Sequence, residues 1–338
     1  MVFDLETDTL KTLSVLQFRF SHFGSSFFCG VWAYFVTWIG ILLILICFMF
    51  KVTRNQQLKL PKTKMVWNKC CFGLLEGLQQ GLACMEAKFC LGKLKKAIFK
   101  PPKAVRGGIP ICFPQFGARG NLEEHGFARN KIWKIDDNPP PLNRGEIKDK
   151  SCIDLLLKPS EDDLKIWPHS FEFRLKICLA ADGNLTLISR IRNINCKPFS
   201  FSIAFHTYFS ISDISEVRVE GLEVLDYLDN LHDKQRFTEQ GDALTFESEI
   251  DRVYLSSSDL IAVLDHERKR TFVVRREGLP DVVVWNPWEK KAKSIVDLGD
   301  EDYKQMLCVD GAAIEKPITL KPGEEWTGRL ELSVIPSS

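Results

Sequence analysis

RGGIPICFPQFGARGNLEEHGFARN, residues Arg106–Asn130, is the segment around which the rest of the chain is organised. Glycine and proline recur through it, so the backbone must turn sharply and can bring N–H groups close to a ligand. Arg106, Arg119 and Arg129 carry planar cations that suit phosphate or carboxylate. His125 can donate a hydrogen bond to a hydroxyl or ring oxygen. The segment is therefore predicted to be a binding loop; the alternative is a turn-rich connection with solvated arginines.

Downstream of this loop, short runs of β-branched and aromatic residues alternate with Asp, Gly, Pro and Asn. This pattern predicts an all-β sandwich or barrel. The stretch 260–276 is predicted to be a hairpin that turns at Glu267–Lys269. The predicted strand regions are IDLLLK, FEFRLKICLA, LTLISRIRNI, FSFSIAFHTYF, EVRVEGLEVLDY, RVYLSS, LIAVLDHERKRTFVVRRE, DVVVWNPW, QMLCVD and WTGRLELSVI.

The motifs RGGIPICFPQFG and EHGFARN resemble the signature of the glucose-6-phosphate 1-epimerase branch of the aldose 1-epimerase (galactose mutarotase-like) superfamily, in the form related to apospory-associated protein C. The resemblance covers about Ala97–Pro336. It implies a galactose mutarotase-like supersandwich that interconverts the α and β anomers of a hexose 6-phosphate such as glucose 6-phosphate. No metal or organic cofactor is expected, because the chemistry of the open aldehyde suffices once both proton transfers are positioned.

Composition narrows the classes of partner. The net charge is +1 and no basic stripe is present, so the sequence predicts no nucleic-acid binding and places any bound phosphate on a small molecule. The 11 cysteines lack the paired spacing of a metal site and are predicted to be free thiols in a reducing compartment. We expect the protein to be a monomer.

The amino-terminal part has a different composition. Phe27–Phe50 is an uncharged apolar run long enough to cross a membrane as one helix, and it is too long for a signal peptide. Lysine and arginine follow the run, which predicts that the catalytic domain lies on the cytoplasmic side. The alternative is an artefact of the gene model, because the resembling family is soluble.

These features divide the chain into four parts. The predicted parts are an amino-terminal tail (1–26), a transmembrane helix (27–50), a linker with an atypical segment (51–96) and the epimerase β-sandwich domain (97–338). The first strands of the resembling family would lie within the atypical segment, where apolar residues recur at helical spacing instead. Either this chain replaces those strands or the sequence is mistranslated around an exon edge.

The strand Phe199–Phe209 carries the first candidate catalytic residue. Its phenylalanines and Ile203 share one face, whereas Ser202, Ala204, His206 and Tyr208 share the other, which predicts a core face and a face with room for a ligand. A lone histidine on a strand is more often structural. By resemblance, His206 matches the catalytic acid of the family.

The second candidate lies at the end of a later strand. Met306, Cys308 and Asp310 share a face, and the apolar surroundings raise the basicity of the carboxylate. The resemblance places the family's base glutamate at Asp310, which is one methylene shorter. Glu315 is the fallback, and a strand-ending turn former is the structural alternative. Ring opening requires an acid and a base, which we expect on opposite sides of one sugar.

Further residues correspond by resemblance to substrate contacts. Arg106 and Arg129 match positions that bind the sugar phosphate, and His125 lies between them in the loop. Glu124 stands where the family commonly has glutamine, so an acceptor-only carboxylate replaces an amide. Asp251 matches an acidic residue that binds sugar hydroxyls; a surface aspartate at the start of a strand is the alternative.

Two other functions stay open at this point. One is an aldose 1-epimerase acting on free sugars, which would not depend on the arginine cluster. The other is a catalytically silent protein that binds sugar phosphates, which Asp310 and Glu124 suggest because both depart from the family pattern. Measured anomer exchange on glucose 6-phosphate distinguishes the silent protein from either enzyme.

Overall fold

The computed structural model describes residues 96–98, 100, 104–141, 150–180 and 183–337. The predicted transmembrane run, residues 27–50, lies outside them, as does nearly all of the atypical segment that follows it. Within the described ranges, no helix is both long enough and apolar enough to cross a bilayer.

The described part of the chain consists mainly of β-strands. Two short α-helices, α1 (Glu161–Ile166) and α2 (Trp288–Ser294), interrupt them. The strands are β1 (Ile111–Cys112), β2 (Lys134–Ile135), β3 (Lys150–Leu157), β4 (Phe171–Ala180), β5 (Leu185–Asn193), β6 (Phe199–Phe205), β7 (Tyr208–Ser210), β8 (Val217–Glu220), β9 (Asp226–Asp229), β10 (Gln235–Thr238), β11 (Ile250–Tyr254), β12 (Leu260–Asp265), β13 (Arg270–Glu277), β14 (Asp281–Asn286), β15 (Met306–Leu320) and β16 (Glu325–Pro336).

The strands form two antiparallel sheets. The first sheet has the order β1-β6-β15-β14-β11-β9-β10, and β7 pairs with β15 beside this path. The second has the order β2-β3-β4-β5-β16-β13-β12-β8. The hairpin predicted for 260–276 is β12 and β13, which pair directly and turn at residues 266–269. The all-β prediction is confirmed.

A large apolar core lies between the two sheets. Strand β6 supplies Phe199, Phe201, Ile203 and Phe205 to it, as its alternation predicted, and the second sheet supplies residues such as Phe171. Alternate residues of a strand point to opposite faces, so the other side chains of β6 lie on the outer face of the first sheet. That outer face carries a smaller apolar cluster, which includes Cys112, Ala204, Val253, Val283 and Ala312.

The prediction that all cysteines are free thiols is wrong for one pair. Cys152 of β3 and Cys178 of β4 form a disulfide. The antiparallel register places them directly opposite each other, which brings their side chains to the same face. Cys112, Cys196 and Cys308 are free. The register of two strands, rather than a spacing motif, decides this pairing.

The loop 106–130 lies against the strand that it was predicted to serve. Its β1 pairs with β6 through Ile111↔Phe205 and Cys112↔Ala204. On either side of these pairs, backbone N–H groups of β6 and its extension donate to loop carbonyls, including His206 N to Pro110 O at 2.9 Å. The loop is therefore an edge extension of the first sheet, and it covers the outer face where the polar side chains lie.

One glycine allows the end of this loop to pack against its beginning. Gly126 has φ +68°, and a Cβ built on it would lie 2.6 Å from the Phe113 carbonyl carbon and 2.8 Å from Pro114 N. Gly126→Ala should therefore destabilise the protein by at least about 2 kcal/mol, since it adds a backbone clash to an unfavourable φ. The measurement is the thermal midpoint, with an expected drop of roughly 4–8 °C.

Gly117→Ala is the matched control for this substitution. Gly117 has φ +55°, and a Cβ there would meet nothing within 4 Å. Its substitution should cost only the strain of a left-handed backbone conformation, about 1 kcal/mol. Equal losses in the two variants would contradict the close approach at Gly126.

Candidate active site

His206 and Asp310 meet on the outer face of the first sheet. His206 lies between β6 and β7, and Asp310 lies on the neighbouring strand β15. His206 Nδ1 is 2.7 Å from Asp310 Oδ2, and the second carboxylate oxygen accepts the N–H of Thr207 at 2.8 Å. Sequence reasoning selected both residues from different strands, and the sheet register brings them into contact.

This contact changes the expected geometry of the pair. The two groups were expected on opposite sides of one sugar, but a separation of 2.7 Å leaves no room for a ring between them. The strands that carry them are adjacent, so their side chains must be neighbours. Ring opening involves the ring oxygen and the C1 hydroxyl, and both oxygens are bonded to C1. An adjoining pair can therefore address both from one side.

The environment of Asp310 is apolar. Asp310 is 0% exposed, and this burial raises the pKa of its carboxyl. The hydrogen bonds from His206 and Thr207 N act in the opposite direction, but burial is the larger effect. His206 is 8% exposed and is the outer member of the pair. A group approaching from solvent therefore reaches the imidazole before the carboxylate.

His125 supplies a second imidazole whose protonation is defined by its contacts. Its Nδ1 accepts the N–H of Gly117 at 3.2 Å, so the hydrogen of the neutral ring is on Nε2. Burial, with His206 and two arginines nearby, lowers the pKa of His125 to about 3. The ring stacks on His206 with 5.8 Å between centroids. His125 is therefore a neutral hydrogen-bond donor beside the catalytic pair.

Asp251 lies on the outer face of the first sheet, in a row of side chains that runs across neighbouring strands past Asp310. In antiparallel ladders directly opposed residues share a face. The pairs Asp251↔Trp285, Trp285↔Cys308 and Cys308↔Tyr208 thus form one row across the first sheet, next to Asp310. Burial raises the pKa of the Asp251 carboxyl, although Asn230 Nδ2 donates to it at 2.7 Å and His206 lies nearby.

The loop arginines have different partners. Arg106 donates through Nε to Asp297 at 2.7 Å, so a carboxylate already offsets its charge. Arg129 donates through Nη2 to the backbone oxygen of Glu124 at 2.8 Å, and its buried Nε has no partner among the described residues. Arg119 donates to Asn230 Oδ1 at 3.3 Å, which links it to the Asp251 side of the site.

The two remaining glutamate candidates are placed differently. The Glu124 side chain is 68% exposed, and its Oε1 is 3.6 Å from His125 Nε2, so it lies at the rim of the site. Glu315 lies where the register between β15 and β6 shifts, and its described contacts are with Arg236 and Asp281. The structure therefore does not bring Glu315 to His206.

The structure adds residues that sequence reasoning did not select for the site. Tyr208, Asn230 and Asp297 contact the predicted site residues. Tyr208 shares the strand face of His206, so its alternation was a usable signal. Asp297 has no such signal, since it follows α2 in a stretch without periodicity. Among the described residues, no group of three or more His, Cys, Asp or Glu side chains is arranged to hold a metal ion.

Comparison with known proteins places this geometry in context. Residues 87–333 match the family described as aldose 1-epimerase. A protein of Cenchrus ciliaris is 67% identical over 245 residues, which cover 72% of this chain and 74% of the relative. A protein of Escherichia coli (strain K12) is 32% identical over 216 residues, or 63% and 69% of the two chains. Both are named "Putative glucose-6-phosphate 1-epimerase".

A crystal structure shares the fold. That of "a putative mutarotase (YeaD)" from Salmonella typhimurium has a TM-score of 0.64 and 28% sequence identity, and the match covers 73% of this chain and 80% of that one. The residues before 87 lie outside the family match. The similarity thus concerns the two-sheet domain that carries His206 and Asp310.

Proposed function

This chain belongs to the aldose 1-epimerase family, and on that basis we propose that it interconverts the α and β anomers of hexose 6-phosphates, with glucose 6-phosphate as substrate. The observation that carries the proposal is the contact between His206 and Asp310 on a face covered by the arginine-containing loop. An acid-base pair suits hemiacetal opening, and the loop cations suit a phosphate.

The reaction needs two proton transfers in each direction. A base removes the proton of the C1 hydroxyl, the bond between C1 and the ring oxygen breaks, and an acid protonates the ring oxygen. The open aldehyde then rotates about C1–C2, and the reverse transfers close the ring on the other face. Atoms and charges balance without an oxidant or reductant. A site that positions a proton acceptor and a proton donor at these two oxygens can therefore catalyse the reaction.

We assign the direct contact with the sugar to His206. Its ring is the outer member of the pair, whereas Asp310 is fully buried and both of its oxygens accept hydrogen bonds. Nε2 of His206 takes the proton from the C1 hydroxyl and returns it to the ring oxygen. Asp310 holds the Nδ1–H and stabilises the imidazolium that forms between these steps. Direct proton removal by Asp310, the role predicted from the sequence, is the alternative.

The neighbouring residues suit a polar ligand with an anionic group. The Nε2–H of His125 is a donor for a sugar oxygen, and the Asp251 carboxylate is an acceptor for a hydroxyl. Trp285 lies 5.7 Å from the His206 ring and offers an apolar surface to the C–H face of a sugar. Arg129 and Arg106 are the proposed phosphate ligands, with Glu124 at the rim.

Exchange spectroscopy tests the function directly. The purified protein should increase the rate of exchange between the α and β signals of glucose 6-phosphate above the spontaneous rate. Glucose at the same concentration should respond much less. No added exchange with either sugar would support the silent binding protein, and equal acceleration of both sugars would support an epimerase of free sugars.

Arg129→Met should weaken binding of the phosphorylated substrate. Arg129 has no carboxylate partner among the described residues, unlike Arg106, so its charge is available to the phosphate. Loss of a charged hydrogen bond should raise KM for glucose 6-phosphate about 10-fold to 100-fold. The KM for glucose should change little, which separates this effect from general damage.

Arg268→Met is the matched control for Arg129→Met. Arg268 is exposed in the turn between β12 and β13, on the second sheet. Its substitution should leave both KM values unchanged. An equal rise in KM for glucose and glucose 6-phosphate in Arg129→Met would contradict the phosphate role.

Three features predicted from the sequence are part of this proposal. They are attachment to a membrane through residues 27–50, a cytoplasmic location of the catalytic domain and a monomeric state. The apolar run and the basic residues after it support the first two. Fractionation of cells that express the full chain and a chain without residues 1–50 tests the anchor.

A further inference from the structure

Tyr208 occupies a position between the catalytic pair and the loop. Its hydroxyl oxygen is 3.0 Å from His206 Nε2 and 3.3 Å from Arg106 Nη1. The residue is 2% exposed, and burial raises the pKa of its phenol well above the ordinary value. Tyr208 is therefore a neutral hydroxyl with one hydrogen to donate and an oxygen that can accept.

The partners of Tyr208 fix the direction of each hydrogen bond. A guanidinium only donates, so the bond from Arg106 uses the oxygen of Tyr208 as acceptor. The Tyr208 hydrogen then has His206 Nε2 as its acceptor. At the far end, a carboxylate only accepts, so His206 Nδ1 donates to Asp310. Both ends of the neutral imidazole thus agree on one tautomer, with the hydrogen on Nδ1 and the lone pair on Nε2.

The series of hydrogen bonds begins at the Asp297 carboxylate, which has no proposed contact with the sugar. Asp297 Oδ1 accepts from Arg106 Nε at 2.7 Å, which sets the orientation of the guanidinium toward Tyr208. Asp297 and Arg106 are both about a quarter exposed, so this anchor lies at the edge of the site. The order of donors is therefore Arg106 to Tyr208 to His206 to Asp310.

We propose that Tyr208 is a positioning residue that fixes the neutral His206 ring by donating to the single lone pair of Nε2 until the C1 hydroxyl of the sugar takes its place, and that Arg106 and Asp297 set the polarity of the Tyr208 hydroxyl. This inference rests on the proposed function, in which Nε2 exchanges a proton with the sugar. It gives Arg106 a role in addition to phosphate binding.

Tyr208→Phe tests the proposal with two independent readouts. In the full-length protein with ¹⁵N-labelled histidine, we expect the Nε2 signal of His206 to show an unprotonated, hydrogen-bonded nitrogen. In the variant it should move to the value of an unprotonated nitrogen without a hydrogen bond, because Asp310 still holds the ring hydrogen on Nδ1 and the phenol donor is gone. With glucose 6-phosphate, kcat should fall about 10-fold to 100-fold while KM stays within about 3-fold, since Tyr208 acts through His206.

Two further variants make the test specific. Tyr303→Phe removes the hydroxyl of another buried tyrosine in the same apolar cluster and should change neither readout. Asp297→Asn should move the Nε2 signal in the same direction as Tyr208→Phe by a smaller amount, because it loosens Arg106 without altering Tyr208.

The outcomes test the positioning role of Tyr208 separately from the proposed function. An unchanged Nε2 signal in Tyr208→Phe, or a rise in KM with unchanged kcat, would overturn the positioning role. If the unaltered protein gave no anomer exchange, the proposed function would fail, and the Nε2 signal would still decide whether Tyr208 donates to Nε2.

Discussion

His206→Asn should lower kcat/KM for anomer exchange of glucose 6-phosphate by about 10²- to 10⁴-fold, the usual contribution of a general acid-base group. Asparagine is chosen because its side-chain NH₂ can take the place of Nδ1 and still donate to Asp310. The variant therefore keeps the buried carboxylate paired and removes Nε2, the atom to which we assign the proton transfer.

Binding of the sugar should survive this change. The proposed phosphate and hydroxyl contacts come from Arg129, Asp251 and His125, which His206→Asn leaves in place. We expect KM to change by less than about 5-fold, so the loss should appear in kcat. Exchange spectroscopy over a range of substrate concentrations measures both quantities.

His266→Asn is the control for histidine substitution in general. His266 is exposed at the turn that follows β12, on the second sheet. Its replacement should leave the exchange rate within about 2-fold of the original. If His206→Asn retained more than half of the activity with an unchanged melting temperature, the imidazole would not be the proton-transfer group.

Asp310→Asn should also lower kcat, by about 10²- to 10⁴-fold. The reason is the tautomer of His206. An amide placed at Oδ2 would donate to Nδ1, so the ring hydrogen would shift to Nε2 and the base would lose its lone pair. The ¹⁵N signals of His206 should show this reversal, which separates an effect on the ring from direct loss of a base.

Asp310→Glu distinguishes the two roles of this carboxylate. If Asp310 removes the C1 proton directly, the longer side chain reaches the sugar more easily, and activity should be retained or increased. If it acts by holding His206, an additional methylene at a fully buried position must displace the ring, and kcat should fall by about 10-fold or more. We expect the second result.

The stability of Asp310→Asn should move in the opposite direction to its activity. Burial raises the folded-state pKa of Asp310, so the folded protein binds more protons there than the unfolded chain does. The contribution of such a group is greatest below its unfolded pKa and is lost as the pH rises through the folded pKa. At neutral pH the ionised carboxylate therefore costs stability.

Thermal unfolding between pH 5 and 8 measures this effect. We expect the midpoint of Asp310→Asn to be equal to or above that of the original protein at pH 7. The difference should shrink as the pH falls through the folded-state pKa of Asp310, because the carboxyl of the original protein then becomes neutral. A midpoint lowered by several degrees at pH 7 would mean that the loss of activity follows from structural damage.

The strand pattern predicted much of the fold and of the site. Period-two alternation in 199–209 identified the core face and placed His206 and Tyr208 on the opposite face, and the two-sheet structure confirms that division. The loop motifs predicted the family, which the match over residues 87–333 confirms. The predicted epimerase activity agrees with the names of the relatives. Each of these features is local, so a single sequence carries it.

Local sequence patterns did not predict which residues of distant strands are in contact. The expected gap between His206 and Asp310 and the expected free thiols of Cys152 and Cys178 both failed for the same reason, since strand register decides each distance. Asp297 is a third case, because only the folded loop brings Arg106 to it.

The sequence by itself determined which side chains share a face of a strand, where the chain turns and which chemical groups the loop can offer, because these properties depend on neighbouring residues alone. Tertiary structure decided which groups touch. His206 lies between a tyrosine two positions along the chain and an aspartate more than a hundred positions away, and pairing of antiparallel strands brings that aspartate to it. Proton transfer depends on distances of about 3 Å, which only that pairing sets.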